Sequence, residues 1–184
     1  MKPAVLVIDM LNDFIKGSLK VPGAEELVPK IRKLLEHARN HHVPVIYACD
    51  SHLPQVDREL EAWGPHALKG SWGAQVVEEL APKKGDFIVE KRRYSAFYST
   101  DLELLLRELN VDTLILVGVA TDICVQHTAA DAFYRGFKLI VVDDCTKALS
   151  DEKHVKGIEV MKDLYKAEVV NLDEVLRKAF QKSP

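Results

Sequence analysis

No apolar run in this chain approaches the roughly 18 residues that a membrane-crossing helix needs, so no membrane association is expected. Cysteine is scarce and odd in number. Cys49, Cys124 and Cys145 stand at irregular spacing, which argues against a disulfide framework and for a reducing compartment, with the cytoplasm as the expected location. An excess of positive charge is also lacking. A net charge of −3 offers no electrostatic footprint for nucleic acid. No secretory leader is expected, because residues 4–8 already read as a strand. Internal repeats, low-complexity tracts and linker-like stretches are missing, so residues 1–184 are expected to form one domain.

What is present is ordinary globular material, 47% hydrophobic and 29% charged, enough for a sizeable core. Continuous apolar runs at 4–8, 43–48, 87–89, 113–117, 139–142 and 168–170 read as buried strands of the parallel type. Helix-period patterns lie between them. Ile31, Leu34, Leu35 and Ala38 form one face, and Leu102, Leu105, Leu106 and Leu109 a second. Ile123, His127, Ala130 and Tyr134 keep the same spacing, as do Val155, Ile158, Met161 and Leu164. A last helix is predicted over 173–180 with Asp173 as its N-cap. This alternation predicts an α/β fold, a three-layer α/β/α arrangement around a six-stranded, mainly parallel sheet. One long stretch without regular pattern, 50–73, holds two tryptophans and two histidines, and irregular loops of that length are usually functional or disordered.

Open α/β sheets bind ligands beyond the carboxyl ends of their strands. Asp9 and Asp50 end the first two predicted strands, and Lys91 follows the third. Cys124 falls after the fourth, where Gly118 closes the strand and a helix pattern over 122–134 begins. Free backbone N–H groups and the helix dipole at such a junction favour a thiolate. Asp9 could take the thiol proton, and Lys91 could stabilise both anions and lower the thiol pKa. Each residue has a plainer reading. Asp9 could cap a loop, Lys91 could be solvated within Lys91-Arg92-Arg93, and Cys124 could be a small buried apolar residue, as Cys49 and Cys145 are read.

The segments Val7-Ile8-Asp9-Met10-Leu11-Asn12-Asp13-Phe14, Lys91-Arg92-Arg93-Tyr94-Ser95-Ala96-Phe97 and Gly118-Val119-Ala120-Thr121-Asp122-Ile123-Cys124-Val125 resemble the isochorismatase-like cysteine hydrolases, and among them the nicotinamidases. The resemblance covers nearly the whole chain. It implies Asp9, Lys91 and Cys124 as a catalytic triad and a cis peptide between Val119 and Ala120. It also implies an oxyanion hole built from the Ala120 and Cys124 amides.

The loop decides the rest. Asp50 and His52 are two residues apart, and in an extended segment such residues point to the same side. With His66 and Glu59 further along, two imidazoles and two carboxylates suit zinc, or manganese or iron. A surface loop with scattered polar groups would read the same way. The resemblance matches Asp50, His52 and His66 to nicotinamidase metal ligands and Glu59 to a fourth ligand of some members. The chain departs from many of them in carrying Ser51 where they have an aromatic residue, and in a shorter spacing after His52.

The expected reaction is hydrolysis of nicotinamide through a Cys124 thioester, feeding NAD salvage. Phe14, Trp63, Tyr94 and Val119 are the expected pocket walls, and a homo-oligomer, dimer or tetramer, is implied. Two alternatives stay open. One is a metal-independent amidase of the same superfamily acting on a ureido compound or another small amide. The other is a non-catalytic small-molecule binder. His37, His41, His42, His127 and His154 are read as structural, with core packing expected for His127. Asp13 and Arg92 are read as supporting or solvated.

Overall fold

The computed structural model describes residues 1–180. The apolar runs become β1 (Pro3–Ile8), β2 (Val45–Asp50), β3 (Phe87–Lys91), β4 (Thr113–Val119), β5 (Lys138–Lys147) and β6 (Glu168–Val170). They form one sheet in the order β3-β2-β1-β4-β5-β6, with every neighbouring pair parallel. The chain builds outward from β1 to β3 on one side and from β4 to β6 on the other. The order therefore reverses between β1 and β4, and the crevice beyond their carboxyl ends is the natural ligand site.

Around the sheet lie α1 (Asn12–Ile15), α2 (Leu27–Asn40), α3 (Glu59–Trp63), α4 (Leu102–Glu108), α5 (Gln126–Tyr134), α6 (Asp151–Asp163) and α7 (Leu172–Lys178). Along β1, Val5 and Val7 point into one core with Ile31, Leu34, Leu35 and Val175 of α2 and α7. Ala4, Leu6 and Ile8 point into the other, with Leu102, Leu106, Ala132 and Met161 of α4, α5 and α6. Alternate residues thus serve opposite layers, which is why the strands read as unbroken apolar runs rather than alternating ones. Among the described residues no helix is long and apolar enough to cross a membrane.

Several boundaries differ from the sequence expectation. β2 and β3 run on to Asp50 and Lys91, which pair with each other in the ladder; a charged pair satisfied on the sheet extends both strands past their apolar runs. In α5 the buried residues are Thr128, Ala129 and Ala132, while His127 and Tyr134 are exposed. Small side chains let that helix sit close to the sheet, so the predicted aromatic face points outward. Val155 of α6 and Leu164 just after it are likewise exposed, leaving Gly157 and Met161 as the helix's buried residues. The last helix is capped by Asn171, not Asp173. The Asn171 side chain accepts from Glu174 N–H at 2.9 Å, and Glu174 accepts from Asn171 N–H at 3.0 Å, a reciprocal capping box. Within 50–73 the chain forms α3, which carries Glu59 and Trp63.

Candidate active site

Asp9 leaves β1 with φ of +52° and is buried. Its Oδ1 accepts the Asp50 N–H at 2.8 Å. Its Oδ2 lies 2.8 Å from Lys91 Nζ but receives no hydrogen bond. That contact is an ion pair, and Oδ2 keeps a lone pair with which to accept a proton. Lys91, at the end of β3, is only 1% exposed despite its place in a run of three cations. Its Nζ donates to Asp50 Oδ1 at 2.5 Å, to Arg93 O at 3.2 Å and to Cys124 Sγ at 3.6 Å. One ligand-type atom from each of Asp9, Asp50 and Cys124 falls within 4.8 Å of the others. The structure therefore brings the three expected edge residues together.

Burial and the Asp50 carboxylate push the Asp9 carboxyl up to about 6, against the pull of Lys91. Burial also drives the Cys124 thiol well above its usual range. Lys91 opposes this and Asp9 adds to it. Lys91 stays charged, because Asp50 and Asp9 outweigh its own desolvation. Lys91 thus lowers the thiol pKa as expected, but burial outweighs it. The resting sulfur is a thiol beside a carboxylate poised near neutral pH, a suitable pairing for proton transfer on demand. Cys124 sits in the first, π-helical turn after β4, Thr121–Val125, which runs directly into α5.

Val119–Ala120 is a cis peptide, as the resemblance implied. Ile123 and Val125 N–H both donate to Ala120 O at 3.1 Å, which ties the turn back on itself. Ala120 and Cys124 both line the cavity over the sheet edge, along with Phe14, Trp63, Tyr94 and Val119. Trp63 Nε1 donates to Tyr94 Oη at 2.9 Å, joining α3 to the segment after β3. Ile123 and Leu149 also line the cavity and were missed in the sequence, where both look like generic core residues. Among the described residues no arginine or lysine lines it.

Asp50, His52, Glu59 and His66 converge, each buried and each offering an atom within 4.8 Å of the others. His66 Nδ1 lies 2.8 Å from Gly64 O and His52 Nδ1 3.3 Å from Asp57 Oδ2. Acceptors at both Nδ1 atoms assign the proton there and leave each Nε2 lone pair free. His52 Nε2 and Glu59 Oε1 are buried without hydrogen-bond partners among the described residues. Unpartnered buried polar atoms call for an explanation, and a divalent cation supplies one. Two imidazoles and two carboxylates are a zinc-type donor set. Burial, then the Asp50 charge, raise Glu59 to about 7.

Asp57 was missed in the sequence. It is 3% exposed and accepts from Arg92 Nε at 2.9 and 3.0 Å, and from Leu53 N–H at 2.8 Å, besides facing His52. Arg92 holds its carboxyl well below the usual range. Arg92 is therefore a supporting partner of the loop that carries His52 and not merely solvated. Asp13 accepts from Ala67 N–H at 2.8 Å and so anchors the segment next to His66. His127, expected in the core, is exposed; its Nδ1 sits 2.7 Å from Ile123 O and its ring packs on Tyr94.

The chain matches the isochorismatase domain over residues 3–174. An N-carbamoylsarcosine amidase from Thermoplasma acidophilum is 43% identical; the alignment covers 94% of this chain and 98% of that one, with a TM-score of 0.89. Nicotinamidase/pyrazinamidase PncA from Bacillus subtilis is 33% identical over 93% of this chain and 100% of its own, with a TM-score of 0.88. A pyrazinamidase from Pyrococcus horikoshii, solved in complex with zinc, is 27% identical over 93% and 99%, with a TM-score of 0.87. With its parallel sheet and its match over nearly the whole length, this chain belongs to the isochorismatase family of hydrolases.

Proposed function

We propose that this protein is a metal-assisted cysteine amidase that hydrolyses nicotinamide to nicotinate and ammonia, a step of NAD salvage. One observation carries the reading. Asp9 and Cys124 of the one group and Asp50, Glu59 and His66 of the other line the same largely apolar cavity, which among the described residues no arginine or lysine lines. N-carbamoylsarcosine carries a carboxylate, and a site for it needs a cation or an equivalent set of donors. A neutral aromatic amide needs flat apolar walls, which Phe14, Trp63 and Tyr94 provide.

Asp9 takes the Cys124 proton as the sulfur attacks the carboxamide carbon. The Ala120 and Cys124 amides hold the oxyanion, a contribution of about 3 kcal/mol per donor in comparable sites. The C–N bond breaks, and Asp9 returns the proton to the departing ammonia. Asp9 then takes a proton from water, which cleaves the thioester and restores the thiol. Lys91 stays charged throughout and balances Asp9 and the sulfur. A divalent metal held by Asp50, His52, Glu59 and His66, zinc by the donor set, would supply a Lewis-acid anchor that positions the ring nitrogen.

A second reading is a metal-independent amidase for a ureido substrate, favoured by the 43% identity to the N-carbamoylsarcosine amidase. Ammonia release from nicotinamide and from N-carbamoylsarcosine, before and after chelation and with zinc restored, separates the two. Nicotinamide turnover that is lost on chelation and recovered with zinc supports the first reading. Chelator-insensitive turnover of the ureido compound alone refutes it.

A further inference from the structure

We propose that His154 is a positioning residue, holding the turn that carries Cys124 in place by fixing the Thr121 hydroxyl against Asp143. His154 Nδ1 lies 2.8 Å from Thr121 Oγ1, and its Nε2 lies 3.0 Å from Asp143 Oδ1. A carboxylate only accepts, so in the neutral ring Nε2 carries the proton and Nδ1 accepts the Thr121 O–H. The row Asp143–His154–Thr121 has the composition of a hydrolytic triad. Thr121 is 0% exposed, however, so no substrate reaches its hydroxyl and the row acts on the turn rather than on a ligand.

Three features of the chain converge on this contact. Thr121 opens the π-helical turn that ends with Cys124 and Val125. The ladder between β4 and β5 slips between the pairs Leu116↔Val141 and Gly118↔Thr146. The extra residues on β5 form a bulge that includes Asp143, and bulges re-aim side chains beside functional sites. One helical turn beyond His154, Gly157 brings α6 against the same segment. A Cβ there would lie 3.0 Å from Asp122 Cα and 3.2 Å from Thr121 C. His154 and Gly157 share a helix face, so α6 clamps the nucleophile turn with one hydrogen bond and one backbone-close contact. The metal ligands and the walls Phe14, Trp63 and Tyr94 lie on other elements and do not depend on it.

The clamp rests on the amidase reading for its kinetic consequence, so the test adds a readout that needs no substrate. His154→Ala, His154→Asn, Thr121→Val and the Ala/Val double variant are assayed as metal-loaded enzyme for kcat and KM with nicotinamide. They are also assayed for the rate of Cys124 carbamidomethylation by iodoacetamide, read by peptide mass. His154→Ala and Thr121→Val should each lower kcat roughly 10- to 100-fold with KM within about twofold, as for an ångström-scale displacement of a reacting group. Both should change the labelling rate in parallel. His154→Asn presents Oδ1 where Nδ1 stood and should recover most of the loss. The double variant should be no worse than either single, because both remove one contact. Parent-like kcat and labelling in His154→Ala would overturn the proposal, as would multiplicative losses in the double variant or an Asn variant no better than Ala. Should His154→Ala fail to fold, Thr121→Val and His154→Asn carry the same comparison. If the parent leaves nicotinamide intact while labelling follows the expected pattern, the clamp stands and the substrate reading falls.

Discussion

Gly118→Ala should damage both stability and activity, for reasons that are geometric. Gly118 pairs with Ile8 across β1 and β4 and adopts φ of +113°. A Cβ there would lie 2.0 Å from Ile8 O and 2.9 Å from Ile8 C and N. All three are backbone atoms of a central strand, so no rotamer change relieves the overlap. β1 would have to retreat by roughly an ångström or more to reach contact distance, and Asp9 is the next residue along it. The unfavourable φ adds about 1–3 kcal/mol, and together with the clash the variant should lose at least about 4 kcal/mol. For a chain of this size that corresponds to a fall in Tm of roughly 8–16 °C. Gly136→Ala is the control, with φ of +79° and nothing within 4 Å of the added Cβ, so it should show the strain alone. The assay is urea and thermal unfolding of both variants beside the parent, with turnover measured well below each Tm. A Gly118→Ala protein within about 1 kcal/mol of the control, or one with parental turnover, would refute the reasoning.

Cys124→Ala should abolish amide turnover while Tm stays near the parent's, checked by ammonia release and calorimetry; residual turnover would remove the sulfur from the mechanism. Asp57→Ala should loosen metal binding about 10- to 100-fold, because the carboxylate that orients His52 is gone, and metal content after dialysis against graded chelator measures it. Leu34→Ala, at a fully buried position of α2, should destabilise by about 2–5 kcal/mol with kcat unchanged, a pairing that denaturant unfolding and kinetics test together.

Much of this architecture is legible in the chain. Unbroken runs such as 4–8 and 113–117 mean strands covered on both faces, and period-3.6 faces such as Ile31, Leu34, Leu35 and Ala38 mean helices laid over them. Asp9, Lys91 and Cys124 stand at strand ends, which in such sheets face a common crevice, and the resemblance to the nicotinamidases points to Asp50, His52, Glu59 and His66 as a ligand group. What one-dimensional pattern missed was what depends on neighbours distant in sequence. α5 turns its alanines inward because the sheet leaves little room there. Asp57 matters because Arg92, 35 residues away, meets it.

The sequence by itself determined the layers, the parallel sheet and which residues stand at its carboxyl edge, since periodicity and strand ends are local properties of the chain. Only the tertiary structure decided their electrical state and support. Lys91 is buried rather than solvated because Asp9 and Asp50 close on it. The Cys124 thiol stays protonated because desolvation outweighs that lysine. His154 touches the nucleophile turn because a bulge in β5 and a glycine in α6 bring two remote segments together. Burial and Coulomb energy depend on distances between side chains far apart in the chain, and those distances exist only once the sheet has assembled.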